Sequence, residues 1–194
     1  GMGNLSSVQR AFEEVGAAAW ISDQPSEIKE ASSLLLPGVG AFGEGMKNLN
    51  ESGMSEAILK AVQEDGIPLL GICLGMQLLA SLGEEGGELK GLGLIPGTVK
   101  QMTPQGDERL PHIGWNEVNP TETHHMFEGI PDSSDFYFVH SFHFDTDTPL
   151  AITPYAGGFS SVVASGNVWG AQFHPEKSSK PGLKLLKNFV NNHA

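Results

Sequence analysis

Ile67-Pro68-Leu69-Leu70-Gly71-Ile72-Cys73-Leu74-Gly75-Met76-Gln77 decides the fold. Ile67–Leu70 is an apolar run of strand length, and Leu78–Leu82 beyond it reads as helix. The only cysteine of the chain therefore sits where a strand turns into a helix, with glycine two residues away on each side. This is the layout of a nucleophile elbow, G-x-Cys-x-G in place of G-x-Ser-x-G. So sharp a turn forces unusual backbone angles on the nucleophile, and Gly71 and Gly75, lacking Cβ, let neighbouring backbone pass close. The first free amides of the helix point at the sulfur, where the helix dipole favours thiolate over thiol. The amide after the nucleophile can also hold an oxyanion. A lone cysteine more often only fills core space; the glycine spacing and the strand–helix junction set this one apart.

Working outward, Leu34–Leu36 reads as a buried strand ended by Pro37-Gly38-Val39-Gly40, and Ala17–Ile21 as another strand. Helical patterns lie at Leu5–Val15, Glu27–Ala31, Phe42–Leu49 and Met54–Val62. This β-α-β-α alternation of short apolar strands predicts a three-layer α/β fold, a mostly parallel central sheet with helices on both faces. After Gly83 the pattern changes. Residues 84–88 and 91–93 read as loop, and strands are expected at Thr98–Met102, His112–Val118, Phe136–Phe142, Leu150–Tyr155, Phe159–Ala164 and Val168–Phe173. No linker intervenes, so these form an antiparallel extension of one domain spanning residues 1–194. A last helix is expected from about Pro181, with Leu183, Leu186, Phe189 and Val190 on one face.

The start of the chain is unusual for this class. Gly1-Met2-Gly3-Asn4 leads at once into a helix, with Asn4 as N-cap, and Gly1 also fits a tag-cleavage scar. An α/β domain normally opens on a strand, so the first strand is expected to be missing and two sheet edges to lie unpaired.

Composition excludes several functions. Lys and Arg number 11 against 23 Asp and Glu, a net charge of −12, which argues against a nucleic-acid partner. No apolar stretch is long enough to span a bilayer and no secretory signal is evident. A single cysteine fits a reducing cytoplasm.

A cysteine nucleophile needs a base, and the base an orienting group. Gln172-Phe173-His174-Pro175-Glu176 supplies both. His174 follows an apolar strand, Pro175 stops the strand, and Glu176 reaches the imidazole from two residues away and sets its tautomer. Alone, His174 would read as a surface turn; with the cysteine elbow the joint pattern is a Cys-His-Glu triad.

Gly71-x-Cys73-x-Gly75-x-Gln77 followed by His174-Pro175-Glu176 resembles the class I (triad) glutamine amidotransferases. Within them the chain is most similar to the HisH-type glutaminase subunits of imidazole glycerol phosphate synthases. Gly1–Leu5, Leu36–Phe42, Pro111–Asn116, Phe136–Ser141 and Gln172–Lys177 carry that narrower match. The resemblance implies that Cys73 attacks the side-chain amide of glutamine, His174 protonates the leaving ammonia and then activates water, and Glu176 orients His174. It implies that Gln77 holds the substrate, that Glu85 pairs with its ammonium, and that His140-Ser141 meets its carboxylate through backbone groups. Gly38-Val39-Gly40 would supply a second oxyanion donor after a peptide flip. Trp115, Tyr137 and Lys177 would face a partner, a (β/α)₈-barrel cyclase that receives the ammonia and makes imidazole glycerol phosphate and an aminoimidazole carboxamide ribonucleotide. No cofactor and no metal are implied. In relatives a strand of about seven residues precedes Gly-Met-Gly-Asn inside the sheet.

The residues leave rivals open. Glu84 or Glu88 could serve in place of Glu85. The chain could serve a different synthase (anthranilate, aminodeoxychorismate or pyridoxal phosphate), act as an inactive truncated binding subunit, or be a cysteine hydrolase on another substrate. Gly38-Val39-Gly40-Ala41-Phe42-Gly43 matches the dinucleotide G-x-G-x-x-G, but the next strand ends at Cys73 where a ribose-binding acid would be expected. His112, His124, His125, His140 and His143 lack metal-ligand spacing; His140 and His143 are expected on opposite faces of one strand.

Overall fold

The computed structural model describes residues 5–193. The expectations for Gly1–Asn4, the Asn4 cap included, lie outside the described residues. In chain order the elements are α1 (Leu5–Glu14), β1 (Leu34–Gly38), α2 (Phe42–Glu51), α3 (Met54–Gln63), β2 (Leu69–Cys73) and α4 (Leu74–Leu78). There follow β3 (Leu82–Gly83), β4 (Leu89–Lys90), β5 (Thr98–Gln101), β6 (His112–Pro120), β7 (Ser134–His140), β8 (Phe142–Asp145) and β9 (Ala151–Thr153). The chain ends with β10 (Phe159–Ser165), β11 (Val168–Ala171) and α5 (Ser179–His193). Short 3₁₀ turns stand at Pro25–Glu30, His125–Phe127 and Pro175–Lys177.

The main sheet runs β1-β2-β11-β10-β8-β5-β3-β4. β1, β2 and β11 are parallel, and β10, β8 and β5 continue the sheet antiparallel. β6 and β7 form a long hairpin joined to the sheet through β9. β2 is buried along its whole length because it is covered on both faces. Leu70 and Ile72 pack in a core with Val8 and Phe12 of α1 and Leu186 and Phe189 of α5. Leu69 packs on the other face with Met46 of α2, Ile58 and Val62 of α3 and Leu78 of α4. The expected three layers and the antiparallel extension are both present.

Four local readings need correction. Ala17–Ile21 forms no strand: among the described residues β1 pairs only with β2, so no neighbouring ladder there receives it, and Trp20 and Ile21 lie exposed. The helix expected at Leu78–Leu82 stops at Leu78. The carbonyls that would continue it are taken from the side by the 91–95 loop: Leu78 by Leu92 N–H, Leu79 by Leu94 N–H and Ala80 by Gly93 N–H. Phe136–Phe142 breaks at Ser141 into two strands with different partners, so His140 and His143 stand on β7 and β8 rather than on one strand. Glu27–Ala31 is a 3₁₀ turn that starts earlier, on Pro25.

Candidate active site

The end of β2 holds the site. Cys73 has φ 54° and ψ −112°, a conformation that non-glycine residues rarely adopt. Two close approaches hold it there. A Cβ on Gly75 would overlap the Leu36 carbonyl, and one on Gly71 would lie 2.7 Å from the Gly75 carbonyl oxygen. The elbow therefore packs backbone against backbone between β1, β2 and α4, and glycine is required at both positions. Cys73 is only 6% exposed. Its Sγ lies 3.9 Å from the Val139 carbonyl of β7 and 3.8 Å from Gln172 Nε2.

β11 lies directly beside β2, with Ala171 opposite Ile72, and this pairing carries the chain past Cys73 into the His174 turn. His174 Nδ1 and Glu176 Oε1 are 2.9 Å apart, both side chains almost fully buried. Among the described residues His174 Nε2 is buried with no hydrogen-bond partner of good geometry, and Cys73 is the group beside it. Burial opposes charge on this imidazole, but Cys73 and Glu176 outweigh it and raise His174 to about 9. The turn is clipped to β7: His174 N–H donates to the Tyr137 carbonyl, Tyr137 N–H to Ser178 Oγ, and Ser178 Oγ–H to the His174 carbonyl.

The other expected site residues gather around this centre to different degrees. Gly38 is paired with Cys73 across β1 and β2, so the Gly38–Gly40 loop leaves the sheet beside the elbow. Val39 is exposed and Gly40 has φ 110°, a region favouring glycine. Gln77 is buried one turn after Cys73, and its Nε2 donates to the Phe142 carbonyl and to Gln172 Oε1, each at 3.0 Å. Glu85 Oε2 accepts from the Phe42 N–H at 2.7 Å, tying that carboxylate to the first turn of α2; Glu84 and Glu88 are exposed. His140 Nδ1 faces the Phe142 carbonyl at 2.8 Å, and its Nε2 lies 3.1 Å from His112 Nδ1. The carbonyl can only accept, so His140 carries its proton on Nδ1 and receives a hydrogen bond from His112. Burial holds both neutral, His140 down at about 3 and His112 at about 4. The Ser141 carbonyl accepts from Met102 N–H.

Residues 2–192 match the family model for glutamine amidotransferase class-I. The chain belongs to the class-I glutamine amidotransferase family. It is 48% identical over 192 residues to the imidazole glycerol phosphate synthase subunit HisH of Moorella thermoacetica, covering 97% of this chain and 90% of that protein. It is 49% identical over 195 residues to the corresponding subunit of Methanosarcina barkeri, covering 98% and 95%. A crystal structure of a glutamine amidotransferase shares the fold at TM-score 0.72 and 21% identity, over 97% of this chain and 95% of that one.

In this amidotransferase the expected partner-facing residues form one surface patch. The Trp115 and Tyr137 rings meet edge to face at 6.1 Å, Lys177 Nζ sits 5.8 Å above Tyr137, and Ile113 beside them is exposed. Tyr137 links the patch to the His174 turn through both of its backbone groups. Sequence reasoning missed Gln172, His112 and Ser178. Gln172 left a signal: it is a polar residue inside the apolar run Val168–Phe173 and is fully buried. Ser178 left none, because its role depends on β7. Among the described residues no helix is long and apolar enough to cross a membrane.

Proposed function

We propose that the chain works as one glutaminase domain, residues 1–194, in the cytoplasm, and that it hydrolyses glutamine to glutamate and ammonia. Cys73 passes its proton to His174 Nε2, and its Sγ attacks the side-chain carbonyl carbon of glutamine. His174 Nε2 gives its proton to the departing nitrogen, so that ammonia leaves and a thioester remains. The same nitrogen then takes a proton from water as the hydroxyl attacks the thioester carbon, and returns it to the departing sulfur, so that glutamate leaves and the thiol is restored. Glu176 holds the imidazole by Nδ1 throughout. The observation that carries this reading is the triad geometry: a strained, nearly buried Cys73, His174 Nδ1 on Glu176, and His174 Nε2 buried beside Cys73.

The remaining roles are those that the family likeness implies, and position is compatible with them. The amide after Cys73 supplies one oxyanion donor, and the Gly38-Val39-Gly40 loop supplies a second after a peptide flip that the positive φ of Gly40 permits. One such donor typically contributes about 3 kcal/mol to barrier lowering, so the loop can act as the on-switch. Gln77, Glu85 and the His140-Ser141 strand end bind the substrate. The relatives are named as subunits of imidazole glycerol phosphate synthase. By that likeness Trp115, Tyr137 and Lys177 dock a (β/α)₈-barrel cyclase, which takes up the ammonia and forms imidazole glycerol phosphate and an aminoimidazole carboxamide ribonucleotide.

The test is glutamate release from glutamine with and without a barrel cyclase. Weak activity alone, strong stimulation by the loaded partner and complete loss in Cys73→Ala are expected. A Cys73→Ala protein that still releases glutamate sinks the assignment.

A further inference from the structure

We propose that Gln172 is a positioning residue for the nucleophile: its side-chain N–H is aimed at Cys73 Sγ by a hydrogen-bond polarity that starts at the Phe142 carbonyl. The inference rests on the reading of Cys73 as the nucleophile. A backbone carbonyl accepts and never donates. The Phe142 carbonyl takes His140 Nδ1–H at 2.8 Å and Gln77 Nε2–H at 3.0 Å. The Gln77 atom that faces it is therefore nitrogen. The second N–H of that nitrogen meets the Gln172 carboxamide at 3.0 Å, so the Gln172 atom there is oxygen. That assignment turns Gln172 Nε2 toward Cys73 Sγ, at 3.8 Å.

Both amides are buried, Gln77 at 5% exposure and Gln172 at 0%, so reversing either one would bury an unpartnered group. An N–H aimed at sulfur stabilises the thiolate, the acceptor with the full negative charge. The same polarity constrains Gln77. With both of its N–H groups engaged, only its oxygen remains for a ligand. Gln77 therefore meets a donor of the substrate, an N–H of the ammonium or the amide, and not the substrate's carboxylate.

Gln172→Glu tests this directly. Glutamate keeps the volume and an oxygen that accepts from Gln77, and removes the N–H at the sulfur. Gln172→Met removes both. Iodoacetamide alkylation of Cys73, followed by mass in the full chain, is compared as the ratio of its rate near pH 7 to that near pH 9.5. A fall of roughly tenfold in this ratio is expected in both variants. Glutaminase kcat is expected to fall alike in both, with KM within about twofold of wild type for Gln172→Glu and raised several-fold for Gln172→Met. An unchanged alkylation ratio in folded Gln172→Glu overturns the inference. A third measurement needs no variant: the side-chain amide resonances of Gln172 must shift when Cys73 is alkylated in the wild-type chain, and stationary resonances overturn the inference even where both variants fail to fold. A wild-type chain without glutaminase activity removes the proposed function, and the alkylation and amide readings still decide the role of Gln172.

Discussion

Cys73 holds a backbone conformation that costs free energy, and the neighbouring glycines make it possible. Gly75 is the sharper constraint, since a side chain there would collide with the Leu36 carbonyl, part of the β1 backbone that pairs with β2. Neither strand can retreat without breaking that parallel ladder. Gly75→Ala is therefore expected to destabilise the fold by on the order of 3 kcal/mol and to abolish glutamate release. Denaturant melts of the two proteins check this; a near wild-type midpoint would mean that the elbow relaxes freely. Gly40 contrasts with it. A Cβ there meets open space, so its constraint is conformational and its substitution should fall on activity rather than packing.

The 174–178 turn shows how elements carry function between them. Three hydrogen bonds through Ser178 and the backbone of Tyr137 fasten the proposed base, His174, to β7, where Tyr137 meets Trp115 of β6 and Lys177 of the turn in one patch. Ser178 is fully buried and both donates and accepts. Ser178→Ala leaves the Tyr137 N–H without its partner, at a cost of about 1–3 kcal/mol. We expect a lower melting temperature together with a proportionally larger loss of partner-stimulated glutaminase than of basal activity. Equal losses in the two would show that the turn does not couple patch to triad. Elements also show where local pattern misleads. Residues 78–82 have the composition of a helix, yet the 91–95 loop supplies the donors that end it at Leu78.

For the whole molecule, three buried histidines set opposite slopes of stability with pH. His174, raised to about 9 from 6.5, binds more protons folded than unfolded between those values. Its contribution is complete below about pH 6.5 and is lost as pH rises through about 9, a loss on the order of 3 kcal/mol. His112 and His140, lowered to about 4 and about 3, bind fewer protons folded, so stability falls as pH drops from about 6.5 toward those values. Urea denaturation of the wild-type chain should therefore give a maximum near pH 6.5. His174→Gln should flatten the alkaline limb and leave the acid limb in place. An alkaline limb of the same slope in that variant would assign the loss to other groups.

The sequence by itself marked Cys73 as the candidate nucleophile, His174 and Glu176 as its candidate base and orienting acid, and gave away the layered α/β class. Each of these is local: a strand–turn–helix needs its two glycines within four residues, and Glu176 reaches His174 from two residues away. Only the tertiary structure decided what brings the two halves of the proposed triad together. Cys73 and His174 meet because β11 lies beside β2, a pairing between strands far apart in the chain that no local pattern encodes. The same holds for Ala17–Ile21, whose strand-like run finds no ladder, and for Gln172, whose role exists only where it meets Gln77 and Cys73. The stretch from Ile67 to Gln77 thus specifies the strained turn that carries Cys73, while the groups around its sulfur come from four other strands, β1, β7, β8 and β11, and the residues that follow them.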